Sequence, residues 1–110
     1  MALSLVLFVG NTKPFDVVIG TSLDGADRAS FTMRESTSGT IVLQRDTVTG
    51  NMTIDKPNMK VISTLTGTEA DGLATGQWVA QAGVRFGDDD SWQFTELFHV
   101  QVREAVVVKV

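Results

Sequence analysis

Short runs in which apolar and polar positions alternate make up most of this chain, and Gly, Thr, Asp and Ser interrupt them every eight to twelve residues. No window carries the three-and-four apolar spacing of an amphipathic helix of ordinary length. Ala29–Arg34 is a clear case: Ala29, Phe31 and Met33 face one way, while Ser30, Thr32 and Arg34 face the other. Further strands are predicted over Phe15–Ile19, Thr40–Arg45 (Ile41 and Leu43 inward), Met52–Asp55 and Met59–Leu65 (Met59, Val61 and Leu65 on one side). Lys56-Pro57-Asn58 breaks the chain between the last two, because proline cannot donate to a central ladder. Thr66–Ala74 alone has helical character, a single turn that Thr68 caps and Gly72 ends. Gly76–Asp88 is the longest alternating run, with Trp78, Ala80, Ala82, Val84 and Phe86 on one parity. An acidic loop, Gly87-Asp88-Asp89-Asp90-Ser91, then turns it into Trp92–Glu104, giving a hairpin whose second arm alternates less regularly.

The two ends of the sequence differ from this pattern. Leu3, Leu5, Leu7 and Val9 alternate with Ser4, Val6 and Phe8, which is strand spacing with apolar residues on both faces, as in a strand covered on two sides. The opening lacks the basic start and small-residue cleavage site of a secretory signal, and Leu5–Val9 is far short of a membrane span. It reads as the first strand. At the other end, Ala105–Val110 is a β-rich tail in which Lys109 is the only charge. Seven or eight strands in 110 residues predict one all-β domain over residues 1–110, an immunoglobulin-like antiparallel sandwich. The paired cysteines and the tyrosine corner of antibody domains are missing, since the chain has neither Cys nor Tyr. A small barrel is the alternative.

Composition narrows the function classes. Nine Lys+Arg against thirteen Asp+Glu give a formal charge of −4, which argues against nucleic acid, whose affinity comes mainly from phosphate neutralisation. The lack of Cys excludes thiolate zinc sites and disulfides, and one His leaves little for metal or acid–base chemistry. His99 lies on the solvent parity of its strand with no nucleophile motif to serve. The pairs Asp24/Asp27 and Glu69/Asp71 have turn-like flanks, so they read as turn chemistry rather than as glycosidase carboxylates. Gly10-Asn11-Thr12 and Gly50-Asn51 precede no helix and make no phosphate loop. Asp88-Asp89-Asp90 lacks the spacing of a calcium loop and reads as a solvated turn. The expectation is a protein without enzymatic activity, cofactor or metal.

Interaction is the remaining reading. An uncovered apolar strand is an aggregation hazard unless something pairs with it. Leu3, Leu5 and Leu7 at one end, and Val106, Val107 and Val108 at the other, are therefore candidate interface residues, paired with each other or with a neighbouring subunit's sheet. Trp78 and Trp92 join them as core or interface aromatics.

Several segments together resemble a known family. Gly10-Asn11-Thr12 follows a short apolar opening. Leu23-Asp24-Gly25-Ala26 leads into Ala29-Ser30-Phe31-Thr32-Met33-Arg34. Thr68-Glu69-Ala70-Asp71-Gly72-Leu73 precedes Gly76-Gln77-Trp78, and the hairpin of Val79–Phe86 and Trp92–Val102 closes the set. Over about residues 10–104 this order resembles the N-terminal-type domain of tailed-phage baseplate upper proteins and its short stand-alone relatives in phage structural gene clusters. Two departures are Trp78 where the family commonly has Tyr, and a first loop shortened at Gly20-Thr21-Ser22. The resemblance implies a non-enzymatic bacteriophage structural protein, of baseplate, tail, neck or head surface. Such a protein is made in the bacterial cytoplasm, is present in many copies or as a homo-oligomer, and docks onto other virion proteins rather than onto nucleic acid or membrane. A carbohydrate- or host-surface-binding module is the alternative, and it requires Trp78 or Trp92 exposed on a flat face.

Overall fold

The computed structural model describes residues 4–106. In chain order the elements are β1 (Ser4–Phe8), β2 (Phe15–Val18), β3 (Arg28–Arg34), β4 (Ile41–Asp46), β5 (Met52–Asp55), β6 (Lys60–Ser63), α1 (Gly67–Asp71), β7 (Gly76–Arg85), β8 (Trp92–Phe94) and β9 (Phe98–Arg103). One sheet runs β1-β9-β7-β3-β4, with β8 also on β7; the other runs β2-β6-β5. These two facing sheets make the immunoglobulin-like sandwich that the strand spacing predicts. Every pairing is antiparallel except β1 with β9, which is parallel, from Ser4 opposite His99 to Phe8 opposite Arg103.

Alternation becomes burial where the two sheets meet. Ala29, Phe31 and Met33 of β3 and Ala80, Ala82 and Val84 of β7 are buried, as are Phe15 and Val17 of β2 and Val61 of β6. Phe31 is the hub. Its ring meets Phe15 of the opposite sheet edge-on at 5.5 Å and tilts against Phe98 of β9 at 6.1 Å. Offset and edge-on ring pairs of this kind stabilise by about 0.5–1.5 kcal/mol beyond their buried area.

Four local expectations are corrected. The hairpin's second arm is not one strand, so there are nine strands among the described residues rather than seven or eight. Gly83 lies opposite Phe94 and Ala80 opposite Phe98, so Gln81 and Ala82 of β7 face three residues, Thr95, Glu96 and Leu97. This bulge inserts one residue and flips the parity, which sends Phe94 outward and Phe98 into the core. Thr95 absorbs the break: its N–H donates to the Ala82 carbonyl at 2.9 Å, its hydroxyl accepts from the Ala82 N–H at 3.1 Å, and its carbonyl accepts from the Gln81 side chain at 2.8 Å.

The second correction is Met59, which sits in the β5–β6 turn at φ 53° and is exposed, because the Lys56–Met59 turn needs a left-handed residue before β6 begins. Third, Thr66 rather than Thr68 caps the helix. Its hydroxyl accepts the Glu69 N–H at 3.2 Å while the Glu69 carboxylate accepts the Thr66 N–H at 3.0 Å, a complete capping box.

The fourth is on β4, where Ile41 is exposed and Leu43 half-buried, and the residue fully inside is Arg45, opposite Phe31. A lone guanidinium there would be very costly to bury. Glu69 of α1 neutralises it through a direct ion pair from Nη2, while the Arg45 Nε is buried without a hydrogen-bond partner. Arg45 in turn, with the Thr66 N–H second, holds the Glu69 carboxyl below the usual carboxylate range. One side chain thus closes the capping box and pins the helix between β6 and β7 to the far edge of the large sheet.

Removing one member of this pair is expected to cost more than replacing the other by an apolar chain. Glu69→Ala leaves a buried cation and breaks the cap, at about 3 kcal/mol, whereas Arg45→Met leaves a carboxylate that water and the Thr66 N–H still reach, at about 1 kcal/mol. Urea unfolding of both variants checks the order; equal losses, or the reverse order, contradict this account of α1.

Candidate functional site

The first strand reads in sequence as covered on both faces, and the structure covers only one. Leu7 is buried and Leu5 and Val9 pack against the core, whereas Val6 and Phe8 are exposed at 43% and 40%. β1 is also the last strand of its sheet, with β9 on one side and no strand on the other among the described residues. Val9 donates its N–H to the Arg103 carbonyl at 2.9 Å. Because N–H groups point alternately to the two sides of a strand, those of Leu5 and Leu7 face β9, and those of Val6 and Phe8 face the open side. Natural edges are usually protected by charge, proline or a bulge. Ser4–Phe8 has none of these.

The open side of β1 borders a cavity rather than a flat surface. Val6, Leu7, Phe8, Asn11, Lys13, Pro14, Phe15 and Leu65 line a groove of about 270 Å³ where the edges of the two sheets diverge. Beyond its end, Phe8, Val9, Gly10, Asn11, Thr12, Ala105 and Val106 border a second, more apolar hollow of about 470 Å³. Gly10, at φ 83°, makes the turn out of β1, and its N–H donates to the Ala70 carbonyl of α1 at 2.8 Å. The end of β1 is therefore tied to α1, and the Phe8 carbonyl already accepts the Asn11 N–H at 3.1 Å; what the edge offers is the Val6 backbone groups and the Phe8 N–H beside a groove of mixed lining.

The other predicted interface residues fall in different places. Val106 is 98% exposed and belongs to no strand. Leu3, Val107 and Val108 lie outside the described residues. Trp78 is half-buried against the core, and its indole N–H donates to the Ala74 carbonyl at 3.3 Å. Trp92 stands on the outer face of the large sheet, stacked with Phe94 at 6.2 Å and 6° between ring planes. The structure thus brings Leu5 and Leu7 to the β1 edge, and places both tryptophans elsewhere. Val6 and Phe8 were missed as outward-facing residues. An apolar residue at every position of Leu5–Val9 carries no signal of which face stays wet.

The acidic loop is spent on its own hairpin. Asp88 accepts from the Asp90 N–H and the Ser91 hydroxyl, each at 3.0 Å, and Asp89 pairs with Arg85 at 3.1 Å. Arg85 also holds Asp27 in a two-pronged pair, Nε to Oδ1 at 3.1 Å and Nη2 to Oδ2 at 2.7 Å. This pairing with Arg85, helped by the Gly87 N–H, pulls the Asp27 carboxyl down to about 2. No group of three acidic or imidazole side chains suited to a metal occurs among the described residues. His99 is exposed on the outer face, as its parity predicts.

No family model and no curated protein matches the chain. Its fold does have solved likenesses. CopC from Methylosinus trichosporium OB3b aligns over 96% of this chain and 90% of that one, at 12% identity and a TM-score of 0.52. The extracellular domain of the voltage-gated sodium channel beta4 subunit, solved as parallel homodimers with a role in cell-cell adhesion, aligns over 96% and 93% at 12% identity and a TM-score of 0.40. The second likeness is too loose to add to the first. What the chain shares with CopC is the fold, a two-sheet β-sandwich.

Because the Asp27 carboxyl titrates below its unfolded value of 3.8, its contribution to stability is complete above that pH and fades as pH falls towards 2. Thermal melts between pH 7 and pH 2 are expected to show Asp27→Asn less stable than the parent at pH 7, with the gap closing towards pH 2. A gap independent of pH would show that the Arg85 pair does not tie the loop to β3.

Proposed function

We propose that this protein is a non-enzymatic assembly module that works by adding strands to the open edge of β1. The observation that carries this reading is the open edge itself, with the Val6 backbone groups and the Phe8 N–H facing a groove of mixed polar and apolar lining. Strand addition would satisfy those groups and bury the outward side chains of Val6 and Phe8, which at about 25 cal/mol per Å² of apolar area favours association. A second copy is the simplest partner. Two β1 strands meeting antiparallel about a two-fold axis would join two large sheets into one continuous sheet.

The larger setting we infer is a bacteriophage particle, in which many copies of this chain hold baseplate, tail, neck or head-surface components together. Its support is the resemblance of residues 10–104 to the N-terminal-type domain of baseplate upper proteins, together with an edge that is hazardous for a free monomer and useful in an assembly. The net charge of −4 favours protein contacts over the packaged nucleic acid.

Light scattering across a hundredfold concentration range tests the edge. The parent chain is expected to associate, and Val6→Pro to be monomeric with a nearly unchanged fold, since it removes only an N–H that points away from β9. A parent that stays monomeric throughout, or a Val6→Pro variant that associates equally well, overturns the reading.

A further inference from the structure

The outer face of the large sheet holds a second groove, far across the sheet from β1 and unused by strand addition. Its floor is Gly83, which lies between Ser30 of β3 on one side and Phe94 of β8 on the other. The next rung pairs Thr32 with Gln81, and Arg34 closes the end opposite Val79. Together with Leu97 and the β3–β4 turn they enclose about 180 Å³. The volume is smaller than the roughly 300 Å³ at which drug-sized ligands begin. A site of this size takes one ring of a longer chain.

The lining has two characters. One wall is aromatic: Phe94 is 65% exposed and lies parallel to Trp92. The absence of a side chain at position 83 lets it settle there, since a Cβ on Gly83 would come within 2.7 Å and 2.9 Å of the Phe94 ring edge. The other wall is polar. No intramolecular hydrogen bond from the Ser30 or Thr32 hydroxyl occurs among the described residues, and Gln81 uses its amide N–H on Thr95 and keeps its oxygen free. Arg34 is the only charged residue in the lining. One of its N–H groups donates to the Gly39 carbonyl at 3.0 Å, and it has no carboxylate partner among the described residues.

We propose that this groove binds one carboxylate-bearing ring of an acidic saccharide. A sugar ring has apolar C–H faces that pack on an aromatic ring and a rim of hydroxyls that both donate and accept. Phe94 suits the first, and Ser30, Thr32 and Gln81 the second. The free N–H groups of Arg34 match a carboxylate in geometry as well as charge, and charge-assisted pairs of this kind are about twice as strong as neutral ones. An extended peptide is a poorer occupant. The backbone groups of β3 and β7 are engaged in their ladders here, so strand pairing is closed to it. The site is separate from the β1 edge and stands whether or not that edge assembles.

The test uses the full chain and a panel of uronate trimers and sialyllactose, each beside its neutral methyl ester, with poly-glutamate as the peptide control. Backbone amide shifts and Trp92 emission report binding. At least one acidic sugar is expected to move the amides around Ser30, Thr32 and Phe94, with its ester about tenfold weaker or worse. Arg34→Gln and Phe94→Ala are each expected to lose about tenfold in affinity, the equivalent of ~1.4 kcal/mol. Gly83→Ala, which displaces the Phe94 ring, should weaken binding while leaving the melting temperature within a few degrees of the parent. Silence from the whole panel, equal binding of acid and ester, or poly-glutamate binding as tightly as the sugars would each overturn the proposal.

Discussion

A strand at the end of a sheet can satisfy only half of its peptide groups, and the surroundings of β1 follow from that constraint. Its inner face is held by Leu7 in the core and its near side by the parallel ladder to β9. No strand within the described residues pairs with its far side, where the Phe8 carbonyl alone is engaged, by the Asn11 N–H at 3.1 Å. A chain that ended its sheet with a charged or proline-broken strand would be safe as a monomer. This one ends it with Leu5-Val6-Leu7-Phe8, so water or another strand must complete the hydrogen bonds.

The remainder of the fold keeps that edge in place. Phe31, packed between Phe15 and Phe98, ties the two sheets face to face. The Arg45–Glu69 pair fixes α1, whose Ala70 carbonyl anchors the turn leaving β1. A buried charge is an expensive way to fasten a helix, and an apolar contact of the same size would serve stability as well. The pair does fix direction: a guanidinium inside the core can be neutralised only if the capping carboxylate arrives at one position. The loop end of the β7–β8 hairpin is tied separately, by Arg85 to Asp27 and Asp89, so the acidic run there is structural.

Much of this architecture was legible in the sequence because alternation reports burial directly. β3, β5, β7 and the inward set Val61 and Leu65 stand where their periodicity puts them. The signal failed where one residue decided a face. The insertion at Thr95–Leu97 separates Phe94 from Phe98, and an irregular alternation is its only trace in the sequence. Arg45 reads as a polar strand residue, and only the three-dimensional approach of Glu69 makes its burial tolerable. The edge failed for a different reason. Apolar residues on both faces of a strand are required by a central strand and equally by a strand awaiting a partner, so the sequence is the same in both cases. The outer groove was not legible in the sequence, since its floor is a glycine and its polar wall joins Ser30 and Thr32 of β3 to Gln81 of β7, residues far apart in the chain.

Amide hydrogen exchange along β1 decides whether this edge is open, because it reads the two sides of one strand separately. In dilute solution the Leu7 and Val9 amides should be protected by β9 while those of Val6 and Phe8 exchange freely. At high concentration the Val6 and Phe8 amides should become protected as well, with no change at Leu7 and Val9. Protection of all four amides in dilute solution would show that the edge is already closed within the monomer. Free exchange of Val6 and Phe8 at every concentration would show that copies of this chain do not dock there.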